Sequence, residues 1–168
     1  MPDERRRVSP PNLVHATTKS PINGKPMTIV YFSPGPDCLG HIINRFLAAR
    51  RSVDVCVFTI TDDRITRAIL DAHRRNVAIR IITDNDKAYD AGSDIERLEA
   101  AGIVVKVDRT QFHMHHKFAI FDEAQLVNGS YNWTRGAAES NEENIIDTAD
   151  PVALAAFQRE FDRLWAKL

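Results

Sequence analysis

The sequence predicts an α/β fold: a mixed, largely parallel β-sheet flanked by helices on both faces. Three observations predict it. Short runs rich in β-branched and aromatic residues, such as "VDVCVFTI" and "VAIRIIT", are apolar at nearly every position, the pattern of strands covered on both sides. Between them lie segments whose apolar residues recur at helical spacing. The 168 residues suffice for one core that buries about two-thirds of the unfolded surface.

Taken in order, residues 1–26 lack hydrophobic periodicity and hold five of the eight prolines, so they read as a flexible N-terminal arm. A single domain is expected over residues 27–168. "MTIVYFS" opens it as a strand, and Cys38, Leu39, Ile42, Ile43, Phe46 and Leu47 then repeat at helical spacing before "VDVCVFTI", which makes a β-α-β unit. The next helix carries Ile65, Ala68, Ile69 and Ala72 as one stripe behind a cap at Thr61 or Asp62, and "VAIRIIT" follows as a strand. "SDIE", Ser93 to Glu96, has capping-box spacing, and Gly102 ends the helix it starts. "IVVKV", "KFAIF" and "QLVNGS" read as strands, and "NIIDT" as another. The final helix begins at Asp150-Pro151, a capping residue followed by a proline whose missing N–H costs nothing there. Its buried face is Leu154, Phe157, Phe161, Leu164 and Leu168, with Trp165 beside it.

Composition excludes several classes. No apolar run approaches the roughly 20 residues a membrane-spanning helix needs. "MPDERRRVSPP" has no apolar stretch behind it, so it reads as neither signal nor anchor, and a cytoplasmic location is expected. Cys38 and Cys56 are too few for a disulfide framework and sit among apolar residues, as buried free thiols do. Residues 1–84 carry 13 lysines and arginines against 8 acids, whereas residues 85–168 carry 9 against 15. That asymmetry points to an anionic partner met by the N-terminal half.

The chemistry concentrates in "HMHHKFAIFDEAQLVNGSYNWTRG", His113 to Gly136. On a strand, residues two apart share a face, so His115 and Lys117 project together while His116 points the other way. His116 then reads as a packed or hydrogen-bonded histidine, and His113 joins the rim of the site only if the strand begins that early, so its role stays open. Ser130 and Asn132 are again two apart, so one sheet edge gathers His115, Lys117, Ser130 and Asn132. These groups suit a phosphodiester: an ammonium, an amide and a hydroxyl cradle the phosphoryl oxygens, and a neutral imidazole attacks phosphorus or protonates a leaving alkoxide. A carboxylate must then fix the imidazole tautomer, and Glu143, with Glu142 second, is the candidate from "SNEEN". A metal site built from His113, His115 and His116 is broken by the same alternation. Trp133 reads as a core residue beneath the site.

"HHKFAIFD" is an H-x-K-x-x-x-x-D motif through His115, Lys117 and Asp122, and with "GSYNWT" and "NEEN" behind it the chain resembles the phospholipase D superfamily. It is most similar to small single-motif members, the bacterial phospholipase-D-type endonucleases and the mitochondrial cardiolipin hydrolase/Zucchini group. The likeness runs from about Thr28 to Trp165. It implies the phospholipase D-like α/β/α sandwich, His115 as nucleophile forming a phosphohistidine, and Lys117, Ser130 and Asn132 as the phosphate-binding residues. It also implies Asp122 as structural and electrostatic support, and Glu143 as the acid that orients His115. No metal and no cofactor are expected. Single-motif members complete their site as homodimers, with one histidine attacking and the other protonating.

The function these readings support is a metal-independent phosphodiesterase, a nuclease on single-stranded DNA or RNA. The alternative is a phospholipase D or cardiolipin hydrolase using the same chemistry on a lipid head group. The mitochondrial relatives carry an N-terminal membrane segment, and some an inserted zinc-binding piece, which this sequence lacks. A binding protein with a retired site is a third reading, opposed by the presence of every signature residue.

Overall fold

A computed structural model describes residues 27–90 and 92–168, and the flexible arm expected over residues 1–26 lies outside the described residues. Strands and helices follow as β1 (Thr28–Ser33), α1 (Pro36–Ala48), β2 (Ser52–Val57), α2 (Asp63–Arg74), β3 (Ala78–Thr83), α3 (Asn85–Ala88), α4 (Ile95–Ala100), β4 (Val104–Val107), β5 (Lys117–Phe121), β6 (Gln125–Gly129), α5 (Arg135–Glu139), β7 (Glu143–Thr148) and α6 (Pro151–Lys167). They build one seven-stranded sheet in the order β1-β7-β6-β5-β2-β3-β4.

The mixed sheet with helices on both faces forms as expected, but its parallel share is smaller than expected. Only β2, β3 and β4 run parallel, while β5, β6 and β7 pair antiparallel with one another, β5 with β2, and β1 with β7. The helix-strand alternation that signals parallel pairing stops at β4. Beyond it, β5 and β6 are joined by a tight turn with left-handed Asp122 (φ 53) and Glu123 (φ 57).

Strand alternation sorts the core into two layers. Val53, Val55, Val57, Ala119 and Phe121 face α1 and α2 in the larger cluster. Cys56, Phe118 and Ile120 face the other way, against α6, where Phe161 and Leu164 are buried and Leu154, Phe157, Trp165 and Leu168 pack partly buried. Phe46 meets the edges of Phe121 and Trp133 at centroid distances of 5.1 and 5.7 Å, so Trp133 is core, as expected. Leu47, assigned to the buried stripe by its spacing, is instead 46% exposed at the end of α1. Both cysteines are free and buried, and burial pushes the Cys38 thiol up to about 11. No helix among the described residues is long and apolar enough to cross a membrane.

Buried acids tie the layers together. Asp147, 2% exposed, is held by His41 and Arg45 of α1. Asp54 takes two 2.7 Å bonds from Arg80, whose guanidinium lies over Phe161. Asp62 caps α2 by accepting from the Arg64 amide, and Asp150 caps α6. The capping box expected at Ser93 to Glu96 does not form. Ser93 Oγ accepts from the Ile95 amide, and the Asp94 side chain turns inward to accept from Thr66 instead of closing the helix.

Candidate active site

Three adjacent antiparallel strands converge on one sheet end: β5 starts at Lys117, β6 finishes at Gly129 and β7 starts at Glu143. This places His115, Lys117, Ser130, Asn132 and Glu143 at the same edge. The backbone around His115 is clamped on both sides. The Met114 amide donates to buried Asp84 Oδ2 at 2.7 Å, and the His116 carbonyl accepts from the Phe58 amide at 2.9 Å.

The expected alternation holds. The His115 ring lies against Phe58 (4.7 Å), and Lys117 Nζ sits over the same ring at 5.3 Å. His116 points to the opposite face, edge-on to Phe118, with Nε2 3.4 Å from Glu160 Oε1. It is 49% exposed there, so the packed histidine expected from the sequence is instead a surface residue in an ion-pair contact with Glu160. His113 turns toward Asp84 and Asp86.

Lys117 Nζ is 3.1 Å from His115 Nδ1 and also donates to the His115 carbonyl at 2.8 Å. An ammonium has only donors, so Nδ1 accepts and the proton of the neutral ring sits on Nε2. Desolvation first, and the Lys117 charge second, hold the His115 pKa below its ordinary 6.5, which keeps the ring neutral at pH 7. Desolvation also lowers Lys117, with Glu143 opposing.

The remaining residues expected in the site are placed as follows. Ser130 Oγ accepts from the Asn144 amide at 3.1 Å, and the Ser130 amide donates to the Asn144 carbonyl at 3.1 Å. The Asn132 carboxamide oxygen is buried and has no protein partner among the described residues. Glu143 accepts from Asn141 Nδ2 at 3.1 Å and makes no hydrogen bond to His115 among the described residues. The orienting role expected of Glu143 is therefore not made in this arrangement, where Lys117 occupies Nδ1.

Asp122, expected with the catalytic set, lies at the far end of β5, five residues and thus roughly 17 Å of strand from Lys117. Its carboxylate accepts from the Arg50, Arg51 and Ser52 amides, and these bonds draw its pKa below the usual carboxylate value. The motif aspartate fastens the α1-β2 loop to the β5-β6 turn and offsets its own left-handed backbone. Asp122→Ala should cost about 1–3 kcal/mol in denaturant unfolding while leaving kcat unchanged. Sequence reasoning missed Phe58, Asn144 and Asp84. The first two stand in quoted segments, but only tertiary pairing shows what they touch.

A family model described as "Cardiolipin synthase, PLD-like domain" matches residues 42–165. The chain belongs to the PLD-like family. Among curated relatives of this PLD-like chain, the "Mitochondrial cardiolipin hydrolase" of Chlamydomonas reinhardtii is 48% identical over 134 residues, 80% of this chain and 60% of the relative. The protein of that name from Homo sapiens is 40% identical over 131 residues, 78% of this chain and 52% of the relative. The chain thus spans between half and two-thirds of the length of these relatives. The fold is shared with the phospholipase D family member Nuc from Salmonella typhimurium, at TM-score 0.78 and 23% identity over 84% of this chain and 95% of that one. NucT from Helicobacter pylori superposes at TM-score 0.76 and 24% identity, over 84% and 97%. The cytoplasmic location expected from the sequence is corrected by these findings, because the relatives' names point to a mitochondrial rather than a cytoplasmic setting. A water-compatible composition suits any aqueous compartment and so carried no information on location.

Proposed function

We propose that this PLD-like chain is a phosphodiesterase that uses His115 as nucleophile, needs no metal in the reaction, and cleaves single-stranded DNA or RNA. The observation that carries the reading is the His115 imidazole 3.1 Å from the Lys117 ammonium, at the sheet end shared with Ser130 and Asn132. A phosphate entering there draws Lys117 onto its oxygens, and the Asn132 amide and Ser130 hydroxyl share that load. His115 Nδ1, released from Lys117, takes up the ring proton, and Glu143, whose charge already acts on Lys117, turns from Asn141 to accept from it. Bare Nε2 then forms a bond to phosphorus as the bond to the leaving oxygen breaks.

The leaving alkoxide needs a proton, which the His115 of a second copy supplies from Nε2 as an imidazolium, its second proton taken up as the anionic phosphate enters beside it, across a two-fold axis. Water then attacks the phosphohistidine, gives a proton back to that second imidazole and releases the phosphate product. An exposed apolar strip beside the site supports the homodimer. Phe32, 67% exposed, is the register partner of Asn144, and Val30 next along edge strand β1 is 45% exposed.

The excess of basic residues in the N-terminal half supports a nucleic acid as substrate. A phospholipid head group is the second reading, favoured by the cardiolipin hydrolase names of relatives up to 48% identical. Labelled single-stranded DNA, RNA and cardiolipin vesicles assayed side by side, with and without EDTA, separate the two. Cleavage of a nucleic acid that persists in excess chelator is the expected result. Turnover of vesicles alone replaces the substrate assignment, and loss of activity in EDTA overturns the metal-free chemistry.

A further inference from the structure

The chain carries a second cluster of donor atoms beside the site, His113, Asp84 and Asp86, grouped closely enough to take a metal ion. His113 Nδ1 is 3.5 Å from Asp84 Oδ1 and 3.7 Å from Asp86 Oδ2, and the three donor atoms lie within 4.8 Å of one another. Those separations are too long for an N–H···O bond, which falls at about 2.7–3.2 Å. Donors about 2.0–2.1 Å from a tetrahedral zinc ion stand roughly 3.4 Å apart; the two separations from His113 are near that value, and the Asp84–Asp86 separation, within 4.8 Å, reaches it when the exposed Asp86 side chain turns inward.

Charge points the same way. Asp84 is completely buried, and among the described residues no lysine or arginine forms an ion pair with it; His113 is its one such neighbour. Of the other buried acids, Asp62, Asp54, Asp147 and Asp94 each have an arginine, whereas Asp108, 7% exposed, is held by the Thr110 amide and hydroxyl instead. A buried carboxylate without a counter-charge is costly, and a bound cation removes that cost. The ligands are also held in place beforehand. Asp84 accepts from the Met114 amide at 2.7 Å and from the Asp86 amide at 3.0 Å, which fixes both loops, and the His113 ring stands edge-on to Phe58 at 5.5 Å.

We propose that Asp84, Asp86 and His113 form a site for a zinc-class divalent cation on the rim of the active site. Three protein ligands, one buried and two about half exposed, leave the fourth position open to water or to an anionic oxygen of a bound phosphodiester. The metal is not a reactant, and the loop that carries His113 to His115 is already held by the Met114–Asp84 and Phe58–His116 bonds, so turnover in excess chelator is expected with or without the ion. The metal reading tested on the sequence alone grouped His113 with His115 and His116. The fold instead supplies its partners from the end of β3.

The site is independent of the catalytic reading, and the experiment is chosen accordingly. The full chain carrying His115→Asn, freed of metal, is titrated with Co²⁺, and the visible d–d absorption reports the geometry. A single tetrahedral-type site per chain, bleached by Zn²⁺, is expected. His113→Ala and Asp86→Asn, both at exposed positions, should each weaken Co²⁺ binding roughly a hundredfold, while His116→Ala leaves it unchanged. Absence of the tetrahedral spectrum, or a spectrum that survives both substitutions, overturns the site. Because the signal does not depend on turnover, loss of the site and failure of the phosphodiesterase reading are distinguishable.

Discussion

Replacing His115 with alanine should lower turnover on the order of 10⁴-fold or more while the melting temperature stays close to that of the parent chain. A covalent nucleophile carries an effect of that size because every other group in the site acts on the intermediate it forms. The fold tolerates the change because His115 is exposed, its side chain hydrogen-bonds only with Lys117 among the described residues, and it belongs to neither buried cluster. Its backbone position is set by its neighbours, with Met114 tied to Asp84 and His116 tied to Phe58. Steady-state kinetics and thermal unfolding on the same preparation check both halves. Parental turnover in the variant refutes the nucleophile assignment.

Gly129→Ala should be the most damaging single-methyl change at the site. A Cβ there would fall 2.0 Å from the Asn144 carbonyl oxygen and 2.9 Å from both the Asn144 carbonyl carbon and Ile145 Cα. All three are backbone atoms of β7, so no rotamer change relieves the clash and β6 must move away from β7. That movement breaks the Ser130 bonds to Asn144 on which the phosphate-binding turn rests. The cost is about 3 kcal/mol, or a melting temperature lower by roughly 6–12 °C, with turnover down about 10²-fold from misplacement alone. A variant that melts and turns over like the parent chain contradicts this role for Gly129.

Most of the fold was legible because its signals are local. The stripe of Ile65, Ala68, Ile69 and Ala72 became the buried face of α2, and Asp150-Pro151 became the start of α6. Period-two alternation correctly separated His115 from His116, which left the α6 face to pair with Glu160. Sheet order was not legible, because antiparallel pairing of β1 with β7 joins residues 120 apart at Thr28 and Thr148. Nothing in either segment alone names its partner.

In the site, the motif spacing located the residues but not their contacts. Asp122 belongs to the same sequence motif as His115 and Lys117, yet strand extension carries it to the opposite end of β5, where it binds three amides. Glu143 reached the correct sheet end but bonds to Asn141. The Asp84 carboxylate, 30 residues before Met114 in sequence, holds the His115 loop through one backbone amide. No periodicity reveals a tertiary bond of that kind, because the donor is main chain and carries no side-chain signature.

Trapping the intermediate tests the central claim most directly. The chain is quenched under alkaline conditions during turnover of the substrate it cleaves, digested, and its peptides sequenced by mass spectrometry. A phosphoramidate adduct on His115, absent from the His115→Ala chain, is the expected result. Full turnover with no adduct on His115, or an adduct on a different side chain, contradicts the account.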